Sequence, residues 1–201
     1  MEWVEPITLK GKFISLIPLD PSHEEGLIEA INDGNISNVW YARVPSAEKM
    51  GKEIKNRLEQ QSIGAMLPFT VVDSTTREVL GMTCYQTIDE PNKRVEIGFT
   101  WYRKSCQRSP TNTEAKLLLL SHAFEQLGTI AVGFKTNYFN TESRRAIERL
   151  GAKLDGILRN HMILQGGILR DTCYYSIIQS EWPTVKTHLR WLLETKYDKH
   201  E

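Results

Sequence analysis

Gln107-Arg108-Ser109-Pro110-Thr111-Asn112, followed at once by Thr113-Glu114-Ala115-Lys116 and the run Leu117 to Leu120, decides how this chain is read. A β-rich segment precedes it, and Gly128 follows it as a helix stop. The pattern predicts a strand, a compact polar loop and a helix from about Asn112 to Leu127. The first backbone N–H groups of a helix lack internal partners and carry the positive end of its dipole. Such a junction therefore makes an anion site, able to donate several bonds to a diphosphate. Arg103, Lys104 and Arg108 add charge attraction. The same residues also read as an ordinary helix start: Thr111 with Glu114 spells a capping box, which needs no ligand and would compete with phosphate for the same amides.

Outward from that loop the chain alternates strands and helices. Upstream, Val95 to Tyr102 alternates: Val95, Ile97, Phe99 and Trp101 face one way, Glu96, Gly98 and Thr100 the other. Before it lie strand-like stretches at Lys12–Leu19, Phe69–Val72 and Val79–Ile88, with turns at Ser74–Glu78 and Asp89–Lys93. Two helices fit between the first and second, one capped by Ser22 and one spanning about Ala47–Gln61, where Met50, Ile54 and Leu58 repeat at spacing four. Downstream come a strand at Ile130–Lys135, a helix at Thr141–Leu150 stopped by Gly151, and a hairpin of Leu154–Leu164 with Arg170–Ile178 around Gln165-Gly166-Gly167. A last helix starts at Ser180 as its cap and runs through 180–197, with Trp182, Val185, Leu189 and Leu192 as its apolar stripe. No linker or repeat divides the chain, so residues 1–201 read as one domain. Its class is α/β, an α+β arrangement of a mixed sheet of about seven strands flanked by helices, with an extra C-terminal helix.

Bulk numbers narrow the function. Lys plus Arg is 25 and Asp plus Glu is 25, so the net charge is zero and a general nucleic-acid binder is not expected. Hydrophobic residues are 40% and the longest purely apolar run is Leu117 to Leu120, so no membrane partner is expected. Met1 to Lys10 lacks the apolar core of a signal peptide. Cys84, Cys106 and Cys173 are odd in number and lack CxxC spacing, which reads as reduced thiols in a cytoplasmic protein. His23, His122, His161, His188 and His200 show no metal spacing, and no Ser-His-Asp order, HExxH or Walker motif occurs.

Three further places carry polar chemistry. Glu96 lies on the strand before the loop, on the face of Gly98, where the missing side chain leaves room for a small molecule. It reads equally as a half-exposed carboxylate paired with Arg94 or Lys93. In Tyr138-Phe139-Asn140-Thr141-Glu142-Ser143, Asn140 is a plausible helix N-cap, and that alone explains it. In Asn38-Val39-Trp40-Tyr41-Ala42-Arg43, Trp40 and Tyr41 can form an apolar wall and Arg43 can hold a carboxylate. The other reading makes Trp40 a core residue and Arg43 a surface charge.

The order of elements, the 107–112 loop and the Asn-bearing turn after the next strand resemble the GNAT acetyltransferase superfamily, in particular its RimJ/RimL-like branch, related to enzymes that acetylate ribosomal-protein N-termini. The resemblance runs from Ile7 to about Trp191. The family's loop reads Gln/Arg-x-x-Gly-x-Gly/Ala. Gln107 matches, while Pro110 and Asn112 stand where Gly and Gly or Ala are expected, so Pro110 removes a donor and fixes φ. Leu150-Gly151-Ala152 resembles the family's ending of the helix after the Asn. The resemblance implies acetyl-CoA as co-substrate, a primary amine as acceptor, direct attack in a ternary complex and no metal. It implies that Gln107, Arg108, Ser109, Pro110, Thr111, Asn112 and Thr113 hold the diphosphate. It implies that Phe99, Thr100 and Trp101 present strand amides to the thioester, and that Asn140 and Arg145 hold the rest of the coenzyme. Glu96 becomes the general base, with Ser143 or Tyr138 protonating the departing thiolate. Trp40, Tyr41, Arg43 and Gly98 line the acceptor side. Amine attack needs a base because alkyl ammonium groups titrate near ~10.4. The departures at Pro110 and Asn112 keep a second expectation open, a catalytically inactive binding or regulatory module of the same fold. A longer acyl-CoA donor is a third. The aromatic C-terminal helix, with Trp182, Trp191 and Tyr197, offers a homodimer surface.

Overall fold

Two turn signals fold as predicted. The Asp73 carboxylate accepts the amides of Thr75 and Thr76, and the Asp89 carboxylate accepts that of Asn92, so each closes a hairpin with its own side chain. The computed structural model describes residues 3–34, 40–41 and 44–197. Its strands are β1 (Leu9–Lys10), β2 (Ile14–Pro18), β3 (Met66–Asp73), β4 (Val79–Asp89), β5 (Arg94–Tyr102), β6 (Ala131–Asn137), β7 (Lys153–Ile163) and β8 (Leu169–Ile178). They form an eight-stranded sheet in the order β1-β2-β3-β4-β5-β6-β8-β7. Every pairing is antiparallel except β5 with β6. The strand beyond the seven expected is β1, two residues whose brevity left no pattern to read.

Helices α1 (Glu24–Asn32), α2 (Met50–Ser62), α3 (Thr111–Ser121), α4 (Thr141–Arg149) and α5 (Trp182–Tyr197) cover the sheet. On one face Ala115, Leu119 and Leu120 of α3, Ile147 of α4, and Val185 and Leu189 of α5 pack with Val95, Ile97, Val132 and Tyr175. On the other, Leu27, Ala30 and Ile31 of α1 and Met50 and Ile54 of α2 pack on Met82 and Trp101. Burial of apolar area on both faces is what holds the layers together.

Several local expectations are corrected. Asp20, not Ser22, caps the turn into α1, and its carboxylate accepts the Ser22 amide at 2.9 Å. Ser180 is not a cap, because α5 begins two residues later at Trp182. Trp182 is buried and stacks on Phe124, so it is not available to a homodimer surface; Trp191 is exposed. The helix after the loop stays α-helical only to Ser121, then widens to a π-turn over His122–Gln126. The Tyr85 hydroxyl donates to the Leu119 carbonyl there, and a side chain entering the helical ladder is a recognised cause of such widening.

Candidate active site

The sheet opens where β5 and β6 part. Their parallel pairing covers only Arg94 with Ala131, Val95 with Val132 and Glu96 with Gly133. Beyond Glu96, β5 continues to Tyr102 bound to β4 alone, while β6 continues to Asn137 bound to β8. The edges of 97–102 and 134–137 therefore face a wedge with unpaired backbone groups.

Alternation along β5 breaks inside that wedge. Met82 pairs with Trp101 and Cys84 with Gly98, so Phe99 and Thr100 oppose one residue, a β-bulge, and Phe99 takes φ +45°. The bulge inverts the side-chain order after Gly98. Trp101 packs with α1 and α2 rather than beside Val95 and Ile97. Thr100 turns to the α3 face, where its hydroxyl accepts from the Lys116 ammonium at 2.7 Å and meets the Thr83 hydroxyl at 2.8 Å. Phe99 likewise leaves the face of Val95 and Ile97 for the α2 side, 5.3 Å from the Arg57 guanidinium. Burial pushes the Lys116 ammonium down to about 7.

The head of α3 stands at the wedge. The predicted capping box does not form: Glu114 is drawn off to the start of β2, where its carboxylate accepts the amides of Lys12, Phe13 and Ile14 at 2.7–2.8 Å. Gly11 permits this, since a Cβ there would lie 2.5 Å from the carboxylate carbon. Ser109 takes over part of the capping role, accepting the Thr111 amide at 3.2 Å. The Glu114 amide donates to the Pro110 carbonyl. Among the described residues the amides of Arg108, Asn112 and Thr113 have no protein acceptor. Pro110 sits at φ −65°, the helical value its ring prefers, and the loop's left-handed residue is Arg108, at φ +64°. The departure at Pro110 therefore imposes no conformational conflict.

Charge around this head differs from expectation. Arg103 points away, pairing with Glu78 and with Asp33 at 3.5 Å. Arg149, unnoticed in the sequence, donates to the Thr113 hydroxyl at 3.1 Å from the end of α4 and brings its cation to the open amides. Arg108 and Arg145 are exposed.

Glu96 is 4% exposed rather than half-exposed, and its partner is neither Arg94 nor Lys93. Its Oε1 pairs with the Lys135 ammonium at 2.7 Å and accepts from the Tyr174 hydroxyl at 2.8 Å. Its Oε2 is buried without a partner among the described residues. Gly133 allows the cluster, since a Cβ there would stand 3.1 Å from both Glu96 Cγ and the Tyr174 hydroxyl. Burial, then the adjoining carboxylate, push the Tyr174 phenol well up, so it stays a proton donor to Glu96. The room expected over Gly98 is already taken: the Gln86 amide would lie 2.2 Å from a Cβ there. Sequence reasoning missed Lys135 and Tyr174. The available signal was polar residues on the same parity as Gly133 and Thr172 in two otherwise apolar strands.

At the far end of β6, Asn140 does cap α4, its side chain accepting the Ser143 amide at 3.0 Å. Ser143 is half-buried in the first turn. Tyr138 is partly exposed, with the Arg144 guanidinium 5.0 Å from its ring. Trp40 is 55% exposed, not a core residue, and packs against Tyr41 and, at 5.9 Å, against Phe139. The 40–41 segment thus meets the β6–α4 turn in an exposed aromatic group. Arg43, with Asn38, Val39 and Ala42, lies outside the described residues.

Known proteins share sequence and fold with this chain. The acetyltransferase (GNAT) domain family matches residues 14–153. "Putative ribosomal N-acetyltransferase YdaF" of Bacillus subtilis is 31% identical over 102 residues, which are 51% of this chain and 55% of that protein. The chain thus aligns with little more than half the length of that relative. A GCN5-related N-acetyltransferase from Brucella melitensis is 28% identical at a TM-score of 0.83, covering 94% of this chain and 86% of that one. The microcin C7 self-immunity acetyltransferase MccE, solved with acetyl-CoA and AMP, shares the fold at a TM-score of 0.72 and 22% identity, covering 84% of this chain and 93% of that one. A family match of this extent, falling on the strands, loop and helix that form the wedge, shows that the chain belongs to the GNAT acetyltransferase family.

Proposed function

We propose that this protein moves an acetyl group from acetyl-CoA to a primary amine by direct attack in a ternary complex. The observation that carries the reading is the open head of α3 beside the parted strands. The free amides of Arg108, Asn112 and Thr113, with the Arg149 cation, supply donors for a diphosphate. A coenzyme held there can run its arm along the wedge and present the thioester to the unpaired edge of 97–101. The amine nitrogen attacks the thioester carbon and a tetrahedral intermediate forms. A strand N–H stabilises its oxyanion. The C–S bond then breaks, leaving the N-acetyl product and the coenzyme thiolate. Glu96 Oε2 takes the amine proton, directly or through water, while Lys135 and Tyr174 fix the carboxylate through Oε1. Ser143 or Tyr138 returns a proton to the thiolate. Asn140, Arg145 and the segment 107–113 complete the coenzyme contacts. Trp40 and Tyr41 border the acceptor. A RimJ/RimL-like substrate, a protein N-terminus, is favoured by the name of the B. subtilis relative, and a small amine is the alternative.

Release of free coenzyme thiol from acetyl-CoA, followed with a thiol reagent across N-terminal peptides and small amines, tests this. Saturable, amine-dependent release is expected. Coenzyme binding without release on any amine would assign the chain to a non-catalytic role.

A further inference from the structure

Helix α2 buries an arginine for which the described residues supply an acceptor to only one of three guanidinium nitrogens. Arg57 is 1% exposed. Its Nε donates to Glu53 at 2.8 Å, one turn back on the same helix. Its Nη1 and Nη2 are buried with no acceptor among the described residues. Taking a guanidinium out of water is costly unless its donors are met, and a neighbouring ring offsets only part of that cost. The side chain lines a pocket of about 340 Å³ between α2 and the β5 bulge, walled by Val44, Pro45, Met66 and Phe99.

We propose that this pocket is an acceptor subsite, in which the two free Nη groups of Arg57 bind a carboxylate carried by the amine substrate. The inference rests on the transferase reading above and adds the class of acceptor. Two parallel N–H donors fit the two oxygens of a carboxylate. A phosphate dianion suits the pocket less well, because the Glu53 carboxylate already stands at the guanidinium and, Asn56 apart, the other lining residues are apolar. Position agrees. Phe99 and Glu96 lie on the same side of the sheet, three residues apart along β5, or about 10 Å at the usual strand rise. An acceptor anchored at Arg57 can therefore set its amine by Glu96 if several bonds separate amine from acid. An N-terminal residue followed by an acidic one meets this condition, and so does a free amino acid with a side-chain carboxylate.

The test compares acid with amide. Tripeptides of alanine first, glutamate or glutamine second, with blocked C-termini, are assayed beside free glutamate and glutamine for coenzyme-thiol release. The parent protein is expected to favour the acid at least 10-fold in kcat/KM in one of the two series, which also tells peptide from free amino acid. Arg57→Lys, which keeps the charge and loses the fork, is expected to shrink that ratio several-fold, with folding checked by thermal melting. Binding is measured separately by calorimetry with the already acetylated tripeptides in the presence of coenzyme A, where no transfer can occur. The acid form binding at least 10-fold tighter than the amide form supports the subsite even if no amine is turned over, in which case the transferase reading alone falls. Turnover of acid and amide at equal kcat/KM in both series, with equal affinities of the acetylated pair, overturns the subsite and leaves the transferase reading standing. If Arg57→Lys fails to fold, the acid-to-amide ratios of the parent decide.

Discussion

Glu114→Ala should be among the most damaging single changes in this protein, and its cost can be worked from the structure. The carboxylate accepts three consecutive backbone amides, Lys12 at 2.8 Å, Phe13 at 2.8 Å and Ile14 at 2.7 Å. Hydrogen bonds to a charged group contribute roughly 1.5–3 kcal/mol each, and a buried donor left alone costs about 1–3 kcal/mol. The Lys12 and Phe13 amides are partly exposed and recover water when Glu114 is removed, whereas that of Ile14 is buried and does not. About 3–5 kcal/mol is therefore expected for Glu114→Ala, a large share of a typical domain's stability. Glu114→Gln keeps one carbonyl oxygen but turns an NH2 group towards a donor, so about 1–3 kcal/mol is expected. Gly11→Ala should be comparably harmful, because its methyl would meet the carboxylate at 2.5 Å. Urea unfolding followed by tryptophan fluorescence measures all three. The sharpest comparison is the double variant: once Glu114 is alanine, adding Gly11→Ala should cost far less than it does in the parent. A cost below about 1 kcal/mol for Glu114→Ala, or strict additivity of the pair, would refute the reasoning. Glu114 would then be free to fold back on its own helix and close the α3 amides.

Two other outcomes follow from the site. Glu96→Gln should lower kcat by about 100-fold or more while acetyl-CoA affinity stays within a few-fold, as general-base removal does; an unchanged kcat would move that role elsewhere. Lys116, held near 7 when folded, titrates near ~10.4 when unfolded, so across that window the unfolded chain binds a proton that the folded chain has released. Its contribution to stability is least favourable below about pH 7 and improves by about 1 kcal/mol per pH unit up to about 10. Lys116→Met should remove that rise and be more stable than the parent near pH 7. Stability difference curves between parent and variant that stay flat with pH would contradict it.

The fold was readable from the sequence because its signals are local. The turn carboxylates at Asp73 and Asp89, the stop at Gly128, the Asn140 cap and the hairpin at Gly166-Gly167 each act within a few residues. The site was readable only where one residue sufficed. Glu96 and the 107–113 loop could be singled out, but their partners come from elsewhere in the chain: Tyr174 reaches Glu96 across 78 positions, and Glu114 reaches Lys12 across 102. The capping-box reading failed for that reason, since a distant set of amides outbid the helix's own. The bulge at Phe99 was also hidden, because period-two alternation has no mark for an inserted residue. That single residue reversed where Thr100 and Trp101 point. Arg57 gave no signal beyond helical spacing, because only tertiary packing shows a guanidinium left short of acceptors.

The central claim is that the open amides at the head of α3 grip the diphosphate of a coenzyme whose thioester lies along the parted edge of β5. Backbone amide resonances of the labelled protein, followed by NMR during titration with acetyl-CoA, test it most directly. The account predicts saturable shifts at Arg108, Asn112 and Thr113 together with residues 97–101. An absence of shifts at millimolar ligand, or shifts confined to another part of the molecule, would contradict it.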